Sequence, residues 1–401
     1  MRNLLPTAIP ASLTLALVAI IAAPAAGAAK LTTLYQFSGG ADGGNPHCTL
    51  VLKNGALYGT SETGGSSGDG TVFMVDPGTG AETVLYNFSG GNDGGTPTAG
   101  LVYQKGTFYG ITTAGGTSGV GTVFAFDPAT KKEKVLHSFK GFADGYTPFG
   151  GLLYHGGLLF GTTESGGTNG SGTVYSVDPA TRAEKVLYVF QGGGDGDQPM
   201  SNVIYQDGIL YGTTLNGGHD IHGAVTDRGT VFGVDAATGA ESSLYSFGEN
   251  DGEPDGTNPW AGVIYRGGYL YGTTYYGYNE QGVSYYGTVF KLAPNSTQDT
   301  LIYSFKGDAD GGFPFAGVLA RGSDLYGIGS FSGEGNCGGS GCGVVYKVDS
   351  RTGKETVLHS FTGNGDGGNP EAGLLYANGA FYGTTFDGTT SNAGTVFMLT
   401  P

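Results

Sequence analysis

Apolar residues in this chain come in short runs, continuous or alternating, and each run ends at Gly, Asn, Asp or Pro. One stretch shows the unit: Ala99–Tyr103 (AGLVY), Thr107–Thr113 (TFYGITT), Gly121–Asp127 (GTVFAFD) and Lys134–Phe139 (KVLHSF). Runs this short, rich in β-branched and aromatic residues, predict strands packed between sheets. The unit recurs. GTVF-type segments start at Gly70, Gly121, Gly172, Gly229, Gly287, Gly343 and Gly394, and YGT-type segments at Tyr58, Tyr109, Phe160, Tyr211, Tyr271, Tyr326 and Tyr382. LYxF-type segments start at Leu34, Leu85, Leu136, Leu187, Leu244, Ile302 and Leu358. Four strands in each of seven repeats predict an all-β, seven-bladed propeller. A parallel β-helix is the runner-up, but its coils are shorter and need end caps that the sequence lacks.

The order of the segments predicts how the ring closes. The first is an LYxF strand, Leu34–Phe37, and the last is a GTVF strand, Gly394–Phe397. If LYxF is the outer strand of a blade, the N-terminal strand fills the vacant place in the last blade and removes an exposed edge. Loop lengths then separate two faces. GTVF to the next LYxF is 15 residues in all six cases. Length varies only before each AGxxY strand and between YGT and GTVF. Those two loops leave a four-stranded blade on the same face, and variable loops on a rigid scaffold are where binding resides.

The run LYxF–DGGxP–GLxY–LYGTTxxGG–GTVFxxDP, from about Leu31 to Leu399, resembles the GloVer tandem-repeat family of exported bacterial proteins with varied sorting anchors. The GG doublets give a looser likeness to kelch propellers, whose regular Trp is missing. The GloVer resemblance implies an extracellular or surface location and carries over no catalytic residue.

Composition narrows the partners. There are 80 Gly in 401 residues, which disfavours long helices. Lys and Arg number 18 against 34 Asp and Glu, a net charge of −16. Phosphate binding draws on basic residues, so nucleic acid is excluded as a partner. Residues 1–28 have the layout of a secretory signal peptide: Arg2, an apolar run from Ala8 to Ala23, and a small-residue end at Ala26–Ala28. The domain expectation is therefore a signal peptide, 1–28, then one propeller, 29–401. The mature chain is expected to be a secreted, periplasmic or surface monomer with no transmembrane anchor. Export permits oxidation, and the CGGSGC loop predicts a local Cys337–Cys342 disulfide, with Cys48 free and buried.

Candidate sites lie on the variable face. The position after each loop proline reads His47, Thr98, Phe149, Met200, Trp260, Phe315 and Glu371, and each is followed by a small residue. If AGxxY is innermost, these seven ring the channel mouth, where they either hold a sugar or peptide side chain or plug the channel. The fifth repeat adds Tyr275, Tyr276, Tyr278, Tyr285 and Tyr286 on one loop, near Trp260, as a stacking platform. The DGxxP aspartates are expected to bond their own turn amides. Calcium is the sharper alternative, best placed at Asp251, Glu253 and Asp255 in the richest acidic loop. His219, Asp220 and His222 form a zinc-type set, weighed against a solvent-facing His pair.

No nucleophile elbow or sialidase Asp-box is found, and no cofactor is required. His47, Glu371 and the fourth-repeat histidines are the only acid–base candidates. The leading expectation is a non-catalytic module that binds a glycan or an extracellular protein. A polysaccharide-active enzyme using the same face, and a structural envelope protein without a ligand, are the alternatives.

Overall fold

The computed structural model describes residues 29–220, 222–248, 255–278, 284–294 and 299–401. Residues 1–28, expected above to be a signal peptide, and Asp251 and Glu253 therefore lie outside the described residues. Seven four-stranded antiparallel sheets follow one another around a ring, as the repeat predicts. The second blade is typical. Its inner strand, Val102–Gln104, turns tightly into Thr107–Thr112, which is followed by Thr122–Asp127 and the outer strand Lys132–Ser138. Inner strands touch at four of the blade junctions, including that between the first and last blades, Val51–Lys53 and Leu375–Ala377.

Ring closure follows the predicted scheme. The strand Lys30–Gln36 pairs antiparallel with Thr395–Thr400 and becomes the outer strand of the last blade. Thr33 Oγ1 and Gln36 Nε2 both donate to the Gly365 carbonyl, at 3.1 and 2.7 Å, and Phe37 N donates to Gly394 O at 3.0 Å.

The blades are joined by a device that repeats in every junction. The residue before each loop proline has a left-handed backbone: Asn45, Thr96, Thr147, Gln198, Asn258, Phe313 and Asn369, with φ from 49 to 57°. Its amide donates to the carbonyl just before the GTVF glycine of the preceding blade, as in Thr96 N to Asp69 O at 2.8 Å. The proline that follows then seats against that glycine. A Cβ on Gly229 would lie 2.5 Å from Pro259 Cδ, so only Gly permits the approach. The YGT glycine has a different reason: a Cβ on Gly212 would lie 2.5 Å from the Phe232 ring.

The core lies between blades. Phe73, Phe124, Tyr175, Phe232, Phe290, Tyr346 and Phe397 from the GTVF strands are fully buried. Each meets a Phe of a neighbouring outer strand edge-on, as Phe232 meets Phe190 at 5.1 Å. Cys337 and Cys342 are bonded, and Cys48 is a free, buried thiol that accepts from Thr60 N at 3.3 Å.

Candidate functional site

The two variable loops of each blade are physically joined. A single β-bridge ties the loop before the inner strand to the loop between the second and third strands: Gly44 to Thr63, Gly95 to Ala114, Tyr146 to Ser165, and likewise in all seven blades. Both loops therefore form one face, centred on the channel.

His47, Thr98, Phe149, Met200, Trp260, Phe315 and Glu371 all line a central cavity of about 380 Å³. Their small followers sit lower, where backbones crowd. A Cβ on Gly150, which follows Phe149, would fall 2.4 Å from Ser201 O. Threonines of the second strands reach the next blade at this level: Thr213 Oγ1 donates to Ala261 O at 2.9 Å, and Thr384 Oγ1 to Cys48 O at 3.2 Å across the closure.

Aromatic rings run across the mouth in contact. His47 meets Phe149 at 5.6 Å, Phe149 meets Trp260 at 6.3 Å, and Trp260 meets Phe315 at 4.9 Å. Tyr275 extends the row, 6.1 Å from Trp260 and 4.9 Å from Phe315, with Tyr276 beside it and 39% exposed. Trp260, Phe149, Phe315 and Tyr275 are half-buried, whereas Met200 and Thr98 are buried. Tyr286 turns away onto Phe313, at 5.1 Å. The backbone at Gly277–Tyr278 pairs with Ser284–Tyr285, and the side chains of Tyr278 and Tyr285 lie outside the described residues.

At the His47 end of the aromatic row stands an acid–base pair. His47 Nδ1 donates to Thr98 O at 3.0 Å, which leaves Nε2 facing Glu371 Oε2 at 3.5 Å. Burial pushes the His47 pKa down. Burial, with the carboxylates of Asp387 and Glu62 adding to it, pushes Glu371 up to about 8. Near neutral pH the pair is therefore a neutral imidazole beside a protonated carboxyl group. The two residues come from the first and last blades, so ring closure makes the pair.

The DGxxP aspartates do bond a turn amide, but one upstream in the chain, and they hold a second partner that sequence reasoning missed. Asp93 accepts from Ser89 N at 3.0 Å and from the Tyr86 hydroxyl at 2.9 Å. Asp42, Asp195, Asp255 and Asp310 take the hydroxyls of Tyr35, Tyr188, Tyr245 and Tyr303, and Asp144 and Asp366 take His137 and His359. The only signal was the constant LYxF-to-Asp spacing in six of the seven repeats, from Tyr35–Asp42 to His359–Asp366.

Asp255, from the calcium-type loop, is 2% exposed and accepts from Tyr245 and from Gly248 N at 2.6 Å. Asp220 Oδ1 accepts from the amides of His222 and Ala224, both at 2.8 Å, and His219 Nδ1 lies 3.5 Å from Ser246 Oγ. His219, Asp220 and His222 do not present three ligand atoms within 4.8 Å of one another. Among the described residues, the one set of three potential metal ligands is His137, Asp144 and Glu184. No helix among those residues is long and apolar enough to cross a membrane.

The sequence matches the family model of the Gloeobacter/Verrucomicrobia repeat over residues 23–226 and 155–397. No curated protein matches it. Among solved structures, an oligogalacturonate lyase in complex with manganese aligns with a TM-score of 0.57 at 13% identity, covering 94% of both chains. The oligogalacturonate lyase of Vibrio parahaemolyticus aligns with a TM-score of 0.56 at 12% identity, covering 92% of this chain and 93% of its own. At these identities the likeness is one of fold.

Proposed function

Because the chain belongs to the Gloeobacter/Verrucomicrobia repeat family and carries an aromatic row at its channel mouth, we propose that it is an exported, non-catalytic module that binds a neutral glycan. The observation that carries this reading is the half-buried contact row Phe149–Trp260–Phe315–Tyr275 on the face built by the variable loops. Such rings offer flat apolar area for a sugar face, and His47 and Glu371 at one end of the row supply hydrogen-bonding groups. The disulfide fits an oxidising compartment. The fold neighbours are lyases of an acidic oligosaccharide by name, but this mouth points to a different ligand charge. Glu371 is protonated near neutral pH and offers no cationic partner to a uronate, and the chain's net charge of −16 repels a polyuronate.

Trp260 is the only Trp in the chain and reports on the mouth directly. Titration with a panel of neutral and acidic oligosaccharides is expected to shift its emission with a neutral member. Tight binding that leaves the emission unchanged, and that is equal for Trp260→Ala, would place the site elsewhere.

A second reading rests on the His47–Glu371 pair. A carboxyl group with a pKa of about 8 beside a neutral imidazole is poised for proton transfer in a polysaccharide-active enzyme. Reducing-sugar release that disappears in Glu371→Gln would favour this reading over binding alone.

A further inference from the structure

The aspartate ties have a third member at most blade junctions. A glutamate opening the next outer strand (Glu82, Glu133, Glu184, Glu241 or Glu355) keeps its Oε1 buried without a hydrogen-bond partner. Each interacts electrostatically with the turn aspartate of its junction: Asp42, Asp93, Asp144, Asp195 or Asp310. At four of these five junctions the group facing the carboxylates is a tyrosine hydroxyl, a poor metal ligand while protonated. At the fifth it is His137. The other histidine tie, His359 to Asp366, has no such glutamate, because the matching position in the closing strand is Leu31.

We propose that His137, Asp144 and Glu184 bind a divalent transition-metal ion of the zinc type. An imidazole with two carboxylates suits first-row divalent ions, and three protein ligands leave one place for water. Calcium, which takes six to eight oxygens, suits the set poorly. The ligand atoms lie within 4.8 Å of one another, and His137 Nε2 is 3.0 Å from Asp144 Oδ2. Asp144 is 6% exposed, and its Oδ1 is held by the Lys140 amide at 2.9 Å, which leaves Oδ2 to the ion. The His137 ring is fixed edge-on to Phe139 at 4.8 Å. An ion about 2.1 Å from each ligand draws in the half-buried Glu184 carboxyl and gives its orphaned oxygen a partner. To ligate through Nε2 as a neutral imidazole, His137 shifts the proton it now shares with Asp144 from Nε2 to Nδ1. The Lys140 side chain, whose charge is felt at Glu184, is exposed and free to turn outward.

The test uses the full exported chain, stripped by chelator and titrated with zinc sulfate by calorimetry and thermal melting. One equivalent is expected to bind and raise the melting temperature, while calcium and magnesium leave it unchanged. Zinc is also expected to protect His137, and not His359, from diethylpyrocarbonate, as read by mass spectrometry. His137→Tyr installs the residue found in five other blades and retains the tie to Asp144. It is expected to weaken zinc binding by more than the roughly 10–100-fold cost of losing an outer-shell partner, with His359→Tyr unchanged. Glu184→Gln is the second variant, expected to weaken zinc binding even if His137→Tyr melts early. Absence of zinc binding, or equal binding by both His137→Tyr and Glu184→Gln, would overturn the proposal.

Discussion

Single side chains decide two things here: what the mouth can hold and what anchors each loop. Trp260 touches Phe149, Phe315 and Tyr275, so truncation removes both a stacking surface and packing. Trp260→Ala is expected to cost about 2 kcal/mol or more of glycan binding, measured by calorimetry. Its melting temperature should fall only slightly, since the ring is half-buried. The Tyr245 hydroxyl donates to Asp255 at 2.7 Å, and burial pushes that carboxyl's pKa up. Tyr245→Phe leaves a 2%-exposed carboxylate with one donor fewer. A hydrogen bond to a charged group is worth about 1.5–3 kcal/mol, so urea unfolding should show a loss of that order. A midpoint equal to the parent's would mean that the tie carries no stability.

At the level of strands, the closing strand does more than complete a sheet. Lys30–Gln36 supplies the outer edge of the last blade, and Phe37 fills the core against Phe73 at 5.0 Å. Deleting residues 31–40 would expose Thr395–Thr400 as a free edge and open a hole between the first and last blades. The expected result is a melting temperature lower by several degrees, or aggregation seen by light scattering. A monomer with an unchanged melt would show that the ring is held shut by the inner-strand contacts alone.

For the molecule as a whole, the repeated carboxyl groups set a pH dependence. Burial, with a neighbouring aspartate, raises Glu82, Glu133, Glu184, Glu241 and Glu355 to about 7, and Glu371 reaches about 8. The folded state then holds more protons than the unfolded chain between the ordinary value of 4.5 and those raised values. Stability falls as pH rises through that window. Growing negative charge on a chain already at −16 acts in the same direction. His47 and His137, whose pKa values burial lowers, act oppositely but are fewer. The lowered aspartates, such as Asp42 and Asp366, set the acid limit, because their contribution is lost as pH falls below the ordinary 3.8. Calorimetric melts are expected to be highest near pH 5 and lower at pH 8. A higher melt at pH 8 would contradict this balance.

The sequence by itself determined the strand count, the seven blades, the closing strand, the Cys337–Cys342 bond and the ring of seven residues at the mouth. All of these follow from quantities that are local or periodic: run length, turn residues, loop length and the position of a residue after a proline. It also placed Trp260 and Tyr275 on one face, because loops leaving antiparallel strands alternate between faces. The aspartate ties were half visible. Their spacing was constant, but a hydroxyl reaching a carboxylate depends on how the loop folds back over its own blade edge. Only the tertiary structure decided that Tyr286 packs away from the mouth, because Phe313 offers it an apolar surface nearby. It alone set Glu184 beside Asp144 and His137, and Glu371 beside His47. Their spacings recur along the chain, but spacing alone does not bring residues of different blades into contact. What brings them together is the curvature that closes seven near-identical sheets into a ring.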